Sequence, residues 1–232
     1  MAAVTSMGGG RLKRGAGKSK PGGMISPPDA LSRDDFVRAV DAAIRERRTR
    51  KVLAGAGEDP QAFEAALRSA LEQAGMAPFH FAREEQVPEP WRFRVFVGEG
   101  LKQVHRALDE AEILYGKLPA IFDGAGAVVQ ASWLPEGRPE RDWEHLAAAA
   151  AAAQNFLLAM HARGYGSYWC SAPILGQAAA ARIFGQAEGE SYLGTLFFGA
   201  PLSPEDEAER GFIGKMHARR TPAAAWSSWN EG

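Results

Sequence analysis

Apolar residues recur along the chain at two periods, and these divide it into helices and strands. Phe36, Val40 and Ile44 repeat four apart, which puts them on one helical face. Ser32 with Asp35 three residues on resembles a capping box ahead of them, so a first helix is expected over about 34–47. Asp59 and Pro60 open a second helix whose face is Phe63, Leu67 and Leu71, up to Gly75. The segment WRFRVFV at 91–97 alternates apolar and basic residues, the period of a half-buried strand, and Gly98 stops it. A third helix carrying Leu101, Val104, Leu108 and Leu114 follows, and 125–131 reads as a second strand. Residues 139–163 form a long helix with Gly164 in the C′ position, and its alanine run at 147–153 favours helix and close backbone approach.

Beyond it, GYGSYWCS at 164–171 reads as a glycine-punctuated turn, and Pro173 opens a helix ending near Gly185. The continuous apolar run at 192–198 suits a strand in the middle of a sheet. The stretch 222–229, with two of the six tryptophans, reads as an extended tail. Strands separated by helices imply a mixed α/β or α+β layer arrangement. Neither GxGxxG between a strand and a helix nor GxxxxGK[ST] occurs, so dinucleotide-fold and phosphate-loop recognition are not supported.

Composition narrows this further. A chain of 232 residues, 46% hydrophobic and 24% charged, can bury one substantial core. With 27 Lys+Arg against 28 Asp+Glu the net charge is −1, which argues against nucleic-acid binding through bulk positive charge. The single cysteine, Cys170, excludes an intrachain disulfide and any multi-thiolate metal site, and suits a reducing compartment. No run of about 18 apolar residues and no apolar leader is seen, so the expectation is a cytoplasmic protein with no membrane partner. Residues 1–28 stand apart: Arg11, Lys13, Arg14, Lys18 and Lys20 sit among Gly, Ser and Pro with no acid, the composition of a disordered basic tail. Taking its five cations from the net charge leaves six net negative charges on the rest of the chain.

The candidate chemistry is sparse. Arg47, Arg48, Thr49, Arg50 and Lys51 gather four cations and a hydroxyl where the first helix ends. They could complement the helix C-terminal dipole or cradle a phosphate, whose oxygens Arg forks and a hydroxyl satisfy together. His80 reads as a loop residue or as a donor to a ligand ring, and Trp91 as core. Glycines at 164 and 166 would allow close backbone approach to a flat ring, with N–H donors near Ser171, or merely cap a helix. Cys170 has no His or Asp nearby in sequence and reads as a buried, inert thiol. The five histidines lack HExxH-type spacing and no GxSxG elbow exists, so metal-dependent and hydrolytic chemistry are disfavoured. An enzyme built this way would draw its reactivity from a cofactor.

The order of the segments is more specific than any one of them. RRTRK at 47–51, AGMAPFH at 74–80, EPWRF at 89–93, RGYGSYWCSA at 163–172 and YLGTLFFGAP at 192–201 together resemble the FMN-dependent nitroreductase family over roughly residues 34–222. The likeness is to short members whose loop reads AP followed by His. It implies an α+β fold, a mixed sheet flanked by helices, in a homodimer with FMN at the subunit interface. By the same resemblance Arg47, Arg48, Thr49 and Lys51 would hold the phosphate and ribityl chain, and His80 would approach the ring. Trp169, Cys170 and Ser171 would line the flavin, and Arg220 would be a second phosphate contact. Met76 and Cys170 stand where some short relatives carry arginine, and the loop between His80 and Trp91 is longer.

The implied organisation is a basic tail (1–28), an FMN-binding domain (29–222) and a C-terminal extension (223–232). The implied activity is NAD(P)H-dependent hydride transfer through FMN to nitroaromatic, quinone or related small-molecule acceptors. The alternatives are a specialised flavin enzyme, such as a dehalogenase or a flavin-consuming enzyme, or a non-catalytic FMN-binding module.

Overall fold

A computed structural model describes residues 28, 31–83, 86–206 and 220–229; the expected basic tail, apart from Pro28, lies outside the described residues. The chain falls into two compact units, residues 1–40 and 41–232. In the first, helix α1 (Arg33–Glu46) begins as its sequence requires: the Asp35 N–H donates to Ser32 Oγ at 3.1 Å, and the Ser32 hydroxyl donates to the Asp35 carboxylate at 2.6 Å. No residue of α1 is buried.

The second unit is built on four strands, β1 (Trp91–Val97), β2 (Ala127–Trp133), β3 (Gly166–Cys170) and β4 (Ser191–Gly199). They run in the order β1-β2-β4-β3 with every neighbouring pair antiparallel. Two single parallel bridges, Thr49–Ser167 and Gly55–Ala125, add to the ladder. Helices α2 (Pro60–Ala74) and α5 (Pro139–Ala162) cover one face. On the other face lie α3 (Gly98–Glu110), α4 (Leu118–Asp123) and α6 (Ala178–Ile183).

Strand alternation deals residues to the two layers. Ala127, Val129, Leu196 and Phe198 meet Phe63 and Leu67 of α2 and Phe156, Leu157 and Met160 of α5. Val128, Phe197 and Cys170 meet Leu101, Val104, Leu108 and Phe122. The alanines of α5 let that helix sit close to the sheet end, where Ala148, Ala149 and Ala152 pack on Trp91 and Ala77. Trp91 is core, as expected, and the α2 start is capped by Asp59 Oδ1, which accepts from Ala62 N at 2.9 Å. Among the described residues no helix is long and apolar enough to cross a membrane.

One polar island interrupts the α3-side face. Gln130 and Ser132 of β2 are fully buried, and Arg94 of β1 forks onto Glu190 with bonds of 2.7 and 2.6 Å. Arg94 also donates to Gln130 Oε1 and Ser132 Oγ, and Gln130 donates to Gln186. Burial alone raises the Glu190 pKa, but the hydrogen bonds from Arg94 and Ser132 outweigh it and hold the carboxyl below its ordinary range.

Several sequence expectations need correction: the third helix stops at Glu110, short of Leu114. The 164–171 turn is instead strand β3, because residues 166–170 pair with β4; Tyr168 and Cys170 face one layer while Trp169 faces the other. The helix expected from Pro173 to Gly185 is a 3₁₀ turn (Pro173–Gly176) and the short α6, separated by extended Gln177. A Cβ at Gly176 would lie 2.5 Å from the Tyr192 ring, so close packing there takes precedence over helix continuity. Helix α4 was not foreseen, and within 222–229 residues Ala223–Ala225 form a 3₁₀ turn instead of extended chain.

Candidate functional site

The cationic run leaves α1 and is immediately captured by the sheet edge. Arg50 N donates to Ser167 O at 2.9 Å, and the Thr49–Ser167 bridge lays 49–50 beside the start of β3. Lys51 reaches over the Tyr168 ring, its Nζ 5.4 Å from the centroid, and Tyr168 also stacks on Phe197. Gly166 permits this approach, since a Cβ there would come within 2.7 Å of Leu53 and 2.9 Å of Arg50. Two segments far apart in sequence, RRTRK and GSYWC, thus share one edge.

Charge accumulates at that edge. Burial, and then the nearby Arg220, push the Arg47 pKa down; burial and then Arg48 do the same to Arg50. The proximity of Arg220 to Arg47 brings together two residues 173 positions apart that were both read as phosphate contacts. Arg48 Nε is buried with no hydrogen-bond partner. Burying a donor of a charged group without an acceptor is costly, so the position is one that an anion would improve.

His161, in the last turn of α5, faces the same group. Burial lowers its pKa first, Glu46 opposes the shift, and Arg47, Arg50 and Arg48 lower it further. Nothing in its local sequence singles out this histidine, which lacks metal-ligand spacing. The missed signal is positional: α5 ends four residues before β3, and β3 is where the cationic run docks.

The remaining expected site residues lie elsewhere or inward. Trp169 Nε1 donates to Leu193 O at 3.4 Å and its ring covers Gly194, where a Cβ would be 2.1 Å from Nε1. Cys170 is 3% exposed, and Ser171 is exposed just past β3. His80 is exposed and its Nδ1 pairs with Glu144 of α5 at 2.9 Å. From Glu144 to His161 the helix rises about 25 Å, so His80 and the cationic edge lie at opposite ends of α5. A cleft of about 460 Å³ between α2, α3 and α4, lined in part by Phe63, Leu101, His105 and Phe122, contains none of the expected residues.

A three-layer sandwich with a cation-lined sheet edge defines the class of the protein. The nitroreductase family model matches residues 44–200, and the chain belongs to the nitroreductase family. Among solved structures it is similar to a nitroreductase-like family protein from Bacillus cereus, at 25% identity and a TM-score of 0.65, over 90% of this chain and 100% of that one. It also shares its fold with the FMN-dependent nitroreductase NfnB from Mycobacterium smegmatis, solved with NADPH, at 18% identity and a TM-score of 0.62, over 85% and 100%. No curated protein matches the chain.

Proposed function

We propose that this chain is an FMN-dependent NAD(P)H oxidoreductase that works as a homodimer and reduces nitroaromatic, quinone or related acceptors. The carrying observation is the cationic edge, in which Arg48 Nε is buried without an acceptor beside Arg47, Arg50 and Arg220. That donor set fits a phosphate monoester, which brings close to two negative charges and several acceptor oxygens.

Arg47, Arg48, Thr49 and Lys51, with Arg220, would hold the phosphate and ribityl chain. Ser171 and the backbone of Trp169 and Cys170, whose side chains pack inward, would lie along the ring. FMN, when bound, would supply the electron chemistry between a nicotinamide and the acceptor. The protein's own contribution is binding, orientation and fixed positive charge, which favours the electron-rich form of a bound flavin. Nothing in this role needs a nucleophile, in keeping with the burial of Cys170.

The dimer is supported by two features. Val37, Val40 and Ile44, an apolar stripe on α1, are 48%, 42% and 51% exposed. His80 sits about 25 Å along α5 from the phosphate cradle, farther than an extended FMN reaches, so it would serve the flavin of the second copy.

The purified protein should be yellow or turn yellow with added FMN, and NADH or NADPH should bleach the flavin band anaerobically. Absence of flavin binding would sink the proposal. Bound flavin that no pyridine nucleotide bleaches would leave the non-catalytic or specialised alternatives.

A further inference from the structure

Among the described residues, one imidazole with a charge that is not fixed faces the cradle. His161 ends α5, and the chain then turns through Gly164, whose N–H donates to His161 O at 2.9 Å, directly into β3. Three residues on from Gly164, Ser167 O receives the Arg50 N–H that docks the cationic run. These bonds tie the end of α5, through one turn, to the strand on which 49–50 docks. The charged groups facing the imidazole are Glu46 from the end of α1 and Arg47, Arg48 and Arg50 from the docked run. Arg220 adds its charge beside Arg47.

We propose that His161 is an additional member of the anion cradle and takes up a proton from solvent when a phosphate monoester docks there. This inference rests on the cradle being the FMN phosphate site.

The direction follows from the charges. Without an anion, burial and three arginines disfavour imidazolium, and only Glu46 favours it, so His161 is neutral at pH 7. A docked dianion offsets two of those positive charges and offers acceptor oxygens to the ring, and both effects shift His161 toward the imidazolium. A group whose pKa rises on binding strengthens binding below the bound pKa, and that gain fades as pH climbs through it. FMN affinity should therefore fall as pH rises from 6.5 to 8.5, by up to about tenfold per unit where one proton is linked. The phosphate itself titrates near pH 6, below this window.

The test is calorimetric titration of FMN into the flavin-free full chain at pH 7, in two buffers of different ionisation enthalpy, with affinities followed by fluorescence quenching from pH 6.5 to 8.5. Wild type should show net proton uptake and a falling affinity. His161→Gln should show neither, matching wild type at pH 8.5 and binding more weakly at pH 6.5, while His161→Lys should bind tightly across the range. Riboflavin, which lacks the phosphate, should bind without proton uptake. Wild-type FMN binding with no buffer-dependent heat would overturn the inference even if no variant folds. So would a pH slope unchanged in His161→Gln, or proton uptake with riboflavin. Failure of FMN to bind wild type at any pH would instead overturn the cradle itself.

Discussion

Arginines occur in this protein in two opposite settings. Arg94 is inside the sandwich and closed upon itself: Glu190 takes both ends of its fork, and Gln130 and Ser132 accept what is left. Arg47, Arg48 and Arg50 crowd at a sheet edge where their neighbours include further cations, and Arg48 keeps a buried donor with nothing to receive it. A charge that is buried and fully paired tells of structure, because the fold already contains its counter-ion. A half-buried charge crowded by like charges, with one buried donor unaccepted, is the setting that the proposed phosphate would relieve.

The largest effect should come from breaking the closed set. Arg94→Met leaves Glu190 buried without its partner and should cost about 3–5 kcal/mol in urea unfolding of the flavin-free protein. A loss under 1 kcal/mol would mean that the island is no more structural than the cradle.

The same substitution in the cradle should act on the ligand and spare the fold. Arg48→Met should weaken FMN binding by about 1.5–3 kcal/mol, the worth of one hydrogen bond to a charged group, with stability of the flavin-free protein within about 0.5 kcal/mol of wild type. Equal losses of stability at Arg48 and Arg94 would erase the distinction between the two settings.

This contrast also explains what the sequence could and could not show. The helices α1, α2, α3 and α5 and strands β1 and β4 were legible because one-faced periodicity and caps are local signals, and Asp59 and Ser32 do cap as their types suggest. β3 was hidden by its glycines: Gly166 is needed for the approach of Leu53 and Arg50, a tertiary demand that reads locally as a turn. RRTRK stood out as a cluster, but Arg94 looked like just another alternating cation in WRFRVFV. Its status depends on Glu190, 96 residues away. His161 was invisible for the same reason, since its neighbours come from the other end of the chain.

Acid should weaken the island next. The Glu190 pKa is held below its ordinary value in the folded protein, so its contribution is present above the unfolded value and is lost as pH falls through the folded one. The melting temperature should decline below about pH 4.5. In Glu190→Gln, already less stable at neutral pH, that acid limb should be shallower; an unchanged limb would assign the acid sensitivity to other carboxylates.

The smallest effect separates pairing from burial. Arg45 pairs with Asp41 at 3.4 Å on α1, two residues before the cradle begins, and both side chains are more than half exposed. Water screens such a pair and already solvates each partner, so neither a desolvation debt nor a waiting ligand attaches to it. Arg45→Ala should change stability by no more than about 0.5 kcal/mol and leave FMN affinity unaltered. A drop in FMN affinity as large as that of Arg48→Met would mean that the site gathers phosphate through long-range positive charge. The buried, unaccepted Arg48 Nε would then not be what selects it, and Arg48 would differ from any surface arginine only in its address.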